Sequence, residues 1–184
     1  ALVRGIKHCN ENDLIMISDL DEIPNPNKIS EFGDKNKYVC FVQGNYLLKF
    51  NLINTTEPYW YGTRMCRKKD LKSPQWLREI KAKKIPFYKF YKPKFDKFIY
   101  DGGWHFSSVK SPEEIYKKLN CYSEQQWNNE KFKNMEVIKR KIDQKKDLFD
   151  RNYDFKVLKI DNTFPKYIYD NKKKLKDLLY EYEN

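Results

Sequence analysis

The spacing of apolar and polar positions divides the chain into strand-like runs early and helix-like faces late. Leu14-Ile15-Met16-Ile17 is a short apolar run bounded by charge, the pattern of a fully buried strand in an α/β sheet. It stops at Asp19, and Pro24 and Pro26 bar an immediate helix. The acidic cluster is therefore expected in a loop at the C-terminal end of that strand, the edge where open α/β sheets bind ligands. Ahead of it, Ala1–Ile6 reads as the tail of a helix. Tyr38 to Phe50 predicts one long or two short strands, Tyr59-Trp60-Tyr61 begins another, and Phe98-Ile99-Tyr100 runs as a strand into Gly102-Gly103. Pro74 to Arg78 reads as helix or turn. Ser111, Pro112 and Glu114 make a capping-box helix start, continued at helical spacing by Ile115, Leu119 and Tyr122. Further helices are expected from Asn129 to Ile142 and from Lys166 to Tyr182, the latter with Leu175, Leu178 and Leu179 on one face. The pattern predicts a mixed α/β fold, treated as one unit over residues 1–184.

Composition changes this picture little. Hydrophobic residues make up 40% and aromatics 16% of 184 residues, enough for a packed core and unlike a disordered chain. The net charge of +11 has two readings: attraction to an anion such as a sugar nucleotide, or a lysine-rich solvated surface. Lys81-Ala82-Lys83-Lys84 and Lys172-Lys173-Lys174 lie beside or within amphipathic patterns, which favours the second reading locally. No nucleic-acid-binding module is recognisable, so nucleic acid is not an expected partner. No apolar run reaches membrane-spanning length. Cys9, Cys40, Cys66 and Cys121 contain no Cys-x-x-Cys pair, which removes a zinc ribbon and leaves one or two disulfides open. Asn54-Thr55-Thr56 is a glycosylation sequon, of a kind that often arises by chance.

Two segments carry candidate chemistry. Asp19-Leu20-Asp21 puts two carboxylates on one tight loop, and hard oxygen ligands of this kind suit Mg²⁺ or Mn²⁺. Such an ion keeps sites for water and phosphate, so a diphosphate could complete its shell, and it would then neutralise charge on that diphosphate as it departs. A solvated structural loop is the plain alternative. A phosphatase of the haloacid dehalogenase type is another, since that motif also runs Asp-x-Asp after a strand, but Ile23 stands at its fifth position. Gly102-Gly103-Trp104-His105-Phe106-Ser107-Ser108 is the second segment. His105 reads as a metal ligand and Trp104 as a face for a sugar ring, against the plain alternative of a core His and Trp ending a strand. His8 reads as a helix-end residue.

Together the two segments resemble glycosyltransferase family 17, the family of the β-1,4-mannosyl-glycoprotein N-acetylglucosaminyltransferase. The matching pieces are Asp13 through Pro24, Leu77-Arg78, Gly103-Trp104-His105-Phe106-Ser107, Ser111 through Leu119, and Phe164 through Ile168, in the family's order along nearly the whole chain. The resemblance implies a GT-A-like mixed sheet flanked by helices, and inverting transfer of a sugar, GlcNAc from UDP-GlcNAc, to a glycan or glycoprotein acceptor. It implies a Mn²⁺ or Mg²⁺ site at Asp19 and Asp21, with His105 similar in placement to a late histidine ligand. Asp19, Arg78, Arg64 and Trp104 are the donor-binding candidates, Arg78 being the better arginine match. Inverting transfer needs a carboxylate base, for which Glu22, Asp101 and Glu124 are the candidates. Only a dozen or so residues precede Asp13, so a fragment or shortened homologue lacking much of the base-binding half is expected. A catalytically inactive glycan- or partner-binding module is the competing function.

Overall fold

The structure is a computed structural model describing residues 2–82, 93–121, 132 and 134–182. It is mixed α/β. Among the described residues eight strands form, β1 Leu14–Ile17, β2 Glu22–Pro24, β3 Tyr38–Leu47, β4 Leu52–Asn54, β5 Tyr59–Arg67, β6 Lys97–Ile99, β7 Gly103–Ser107 and β8 Phe155–Val157. The α-helices among the described residues are α1 Leu2–Gly5, α2 Pro74–Glu79, α3 Pro112–Asn120, α4 Met135–Asp143 and α5 Lys166–Asp170. The chain folds as two compact units, Ala1–Gly44 with Tyr59–His105, and Asn45–Pro58 with Phe106–Asn184. Among the described residues no helix is long and apolar enough to cross a membrane.

In the first unit β1, β5 and β3 pair antiparallel in that order, and β6 runs parallel to β3. Val39, Cys40, Phe41 and Val42 are all buried, so β3 carries apolar side chains on both faces and reads as an unbroken hydrophobic run. One face packs with Ile15, Ile17, Cys66 and Leu77, and the other with Phe32, Met65 and Ile99. α2 starts where Ser73 accepts a hydrogen bond from Trp76 N and Pro74 occupies the first turn, and Leu77 seals the core beneath it. Against the expectation of a fully buried strand, β1 alternates: Leu14 is exposed while Ile15 and Ile17 are buried. Among the described strands it pairs only with β5, so one edge is left without a strand partner. An apolar run of four cannot distinguish that arrangement from a central strand.

All four cysteines are free. Burial pushes the thiols of Cys40 and Cys66 up to about 12, whereas Cys121 is exposed and Cys9 half-buried. Iodoacetamide at pH 8 should label Cys121 and Cys9 in the native protein and reach Cys40 and Cys66 only in denaturant. Mass spectrometry of the alkylated protein checks this.

In the second unit α3 and α4 pack Ile115, Leu119, Ile138 and Ile142 against Leu47, Leu48, Leu52 and Leu148. The α3 start has both halves of its capping box, Glu114 N to Ser111 Oγ at 3.2 Å and Ser111 N to Glu114 Oε2 at 3.1 Å. Tyr122, the expected continuation of α3, lies outside the described residues, as do Lys83, Lys84 and most of 129–133 ahead of α4. Asn54 is fully buried, and its Oδ1 accepts from Thr56 N and Glu57 N, both at 2.9 Å. The sequon asparagine is thus a turn-forming side chain inaccessible in the folded chain.

The single helix expected from Lys166 to Tyr182 is not formed. α5 stops at Asp170, and a short 3-10 helix follows at Lys176–Leu178. Tertiary hydrogen bonds claim the backbone instead: Phe50 N donates to Leu178 O, and buried Asn51 grips Tyr180. Asn51 Nδ2 donates to Leu158 O at 3.1 Å and Tyr180 O at 2.9 Å, while its Oδ1 accepts from Tyr180 N at 2.9 Å. Asn51→Ala strands three backbone groups and should cost about 3 kcal/mol, read by urea denaturation.

Candidate active site

The acidic loop begins where the β1–β5 ladder ends at Ile17 opposite Arg64. Ser18 Oγ is held to Thr63 Oγ1 at 2.7 Å, and the chain then turns. Glu22 N donates to Asp19 O at 3.1 Å, and Asp19 N donates back to Glu22 Oε2 at 3.1 Å. This reciprocal closure puts Leu20 fully in solvent at the tip and leaves the Asp19 and Asp21 carboxylates half exposed. The four-residue turn thus closes on one backbone bond and one side-chain brace of its own.

The loop leads straight into β2, which pairs antiparallel with β7: Glu22 opposite His105, Ile23 opposite Trp104 and Pro24 opposite Gly103. The two segments singled out in the sequence are thus neighbouring strands. Strand alternation puts Glu22 and His105 on one face, each 6% exposed, and places Trp104 with Ile23 on the reverse face. His105 Nε2 lies 3.5 Å from Asp21 Oδ2. Gly103 makes the pairing feasible: it has φ +139°, and a Cβ there would sit 2.1 Å from Ile23 O.

Trp60, which the sequence did not single out, completes this face. Its ring stacks on His105 with centroids 4.1 Å apart and planes 8° from parallel, and its Nε1 donates to Glu22 Oε1 at 2.8 Å. Glu22 therefore has a donor on each carboxylate oxygen, Trp60 on one and the Asp19 amide on the other, and this pair of bonds braces the loop. Beneath lies a buried polar floor, where Gln43 Nε2 donates to Thr63 Oγ1 at 3.1 Å. Gln43 Oε1 is buried with no partner among the described residues. Gly62 keeps this floor open, since a Cβ there would meet Gln43 Oε1 at 2.1 Å and Glu22 Cδ at 3.0 Å. The available signals were a tryptophan within an aromatic strand start, and a lone glutamine following an apolar run.

The arginines differ in their commitments. Arg78, on α2, donates to Asp19 Oδ1 at 2.6 Å. Among the described residues Arg64 donates from Nη1 to Gly62 O at 2.9 Å, its buried Nε has no partner, and it makes no ion pair. Both line an open cleft of about 190 Å³ together with Asp19, Glu22, Trp60 and Tyr61. That is smaller than the ~300 Å³ at which drug-sized ligand pockets begin, and suits a phosphate group rather than a whole nucleotide.

Asp101 stands apart from the cleft. It is exposed in the turn between β6 and β7 with φ 50°, its backbone carbonyl accepts from Asn25 Nδ2 at 3.2 Å, and its charge acts on Lys28. Glu124 lies outside the described residues. His8 is exposed in the turn after α1.

As a metal site, Asp21 and His105 offer one carboxylate and one imidazole close together, donor types that Mn²⁺ and Mg²⁺ accept with water and phosphate completing the shell. Asp19 is turned to Arg78, and among the described residues no set of three or more His, Cys, Asp or Glu side chains converges on one point. Compared with protein families, curated proteins and solved structures, the chain matches none of them.

Proposed function

We propose that this chain is a metal-dependent, inverting glycosyltransferase domain with a GT-A-like fold, moving a sugar from a nucleotide donor, UDP-GlcNAc, to a glycan hydroxyl. The observation that carries the reading is the β2–β7 pairing, which seats the Asp19–Asp21 loop against His105 beside a cleft holding two arginines. Mn²⁺ or Mg²⁺ would be held by Asp21 and His105, and when bound it supplies positive charge against the departing diphosphate. Arg64, with donors uncommitted to any carboxylate among the described residues, binds a phosphate oxygen from the cleft wall. Arg78 exchanges its bond to Asp19 for a phosphate oxygen, which leaves Asp19 available to the donor. Glu22 holds the loop and Trp60 in place through its two accepted hydrogen bonds.

The test is UDP release from UDP-GlcNAc in Mn²⁺, with and without a mannose-containing N-glycan. Acceptor-dependent UDP formation with a matching mass gain on the glycan is the expected result. Glycan binding without turnover would instead make the chain a glycan-binding module.

A further inference from the structure

Resting on that reading and deepening it, we infer that the tyrosine face of β5 and β6 is the acceptor subsite, taking two or three pyranose rings of a neutral glycan. Tyr59 and Tyr61 are two residues apart on β5 and share a sheet face; Phe98 and Tyr100 stand in the same relation at β6 and the residue after it. The two sets meet over β3. Tyr59 packs edge-on against Tyr100 with centroids 6.1 Å apart, and Tyr61 against Phe98 at 5.6 Å. Gly44 lies opposite Tyr59 and buried Val42 opposite Tyr61, so their register partners on β3 are small.

The three tyrosine rings are not core, whereas Phe98 anchors the face by packing on the core beside Phe95. Tyr59 is 59%, Tyr61 41% and Tyr100 54% exposed. The steps along each strand are about 7 Å, so neighbouring rings offer separate stacking positions. None of the four side chains is charged, so the face is suited to apolar ring surfaces with hydroxyl edges, which the phenol groups can meet by hydrogen bonding. The exposed area decides against a protein partner. On the ~200 Å² scale of an aromatic side chain the three tyrosines expose roughly 300 Å², far below the ~800 Å² per side of a stable protein interface. The face also runs into the cleft, since Tyr61 lines the cleft beside Arg64 and Arg78. A glycan lying on Tyr59 and Tyr100 would therefore reach the proposed transfer site past Tyr61.

The experiment is an NMR titration of the full chain with mannotriose and, separately, chitotriose, following the tyrosine ring resonances, with UDP-GlcNAc plus Mn²⁺ titrated in parallel. One sugar should shift the Tyr59, Tyr61 and Tyr100 rings. The Tyr59→Ala/Tyr100→Ala double variant should weaken that sugar at least 10-fold and leave donor affinity within twofold. Tyr59→Phe/Tyr100→Phe should retain most of the binding, because stacking persists. The inference is overturned if neither sugar moves these rings, or if the alanine variant binds as the parent does. Ring shifts with no donor binding would leave this subsite standing and remove the transferase reading, while donor binding without ring shifts would do the reverse.

Discussion

Asp21→Ala is expected to weaken Mn²⁺ binding in the presence of UDP by about 100-fold, or about 2.7 kcal/mol, while the fold stays intact. Asp21 follows the exposed tip of a loop that is closed by other groups: the Asp19 and Glu22 backbone bond and the Glu22 carboxylate. Its own carboxylate is half exposed and lies 3.5 Å from the buried His105 imidazole, outside the bonds that close the loop. His105 keeps its stacking on Trp60 and its place in β7. What disappears is the Asp21 carboxylate, the oxygen ligand that the proposed metal site places beside the imidazole. Electron paramagnetic resonance of free Mn²⁺ measures the effect, and unchanged affinity in the variant would move the metal away from this loop.

Gly103→Ala should be the most damaging single methyl in the first unit, costing about 3 kcal/mol or more. At φ +139° the new side chain is strained whatever the space, and its Cβ would lie 2.1 Å from Ile23 O, 2.9 Å from Asn25 N and 2.9 Å from Pro24 Cα. These neighbours are backbone and cannot rotate away. Relief requires β2 and β7 to part, which would also separate Asp21 from His105. Thermal unfolding reads the stability loss, and the intrinsic tryptophan fluorescence, taken against a Trp60→Phe control, reads the opening of the Trp60 stack on His105. A variant as stable as the parent would show that the β2–β7 register is looser than described.

The parts of this architecture that could be read from sequence are those with local causes. Ser111, Pro112 and Glu114 start α3 because capping is a three-residue interaction, and Asp19 ends an apolar strand because charge and proline follow it within a few positions. Mixed α/β character followed from the same periodicities. The long-range arrangement was not legible. Nothing near Glu22 announces that its partner is His105, and Trp60 enters the site only because β5 carries it there by way of β3. The C-terminal segment has a helical pattern, yet Asn51 and Phe50 take its backbone hydrogen bonds, and a distant side chain outweighs local propensity there.

The most direct test of the nucleotide-sugar reading is a calorimetric titration of UDP-GlcNAc into the parent protein, once with Mn²⁺ and once with EDTA. Saturable binding in Mn²⁺ that vanishes in EDTA is the predicted result. No heat of binding in either condition, or equal binding in both, would contradict a metal-dependent donor site at Asp21 and His105.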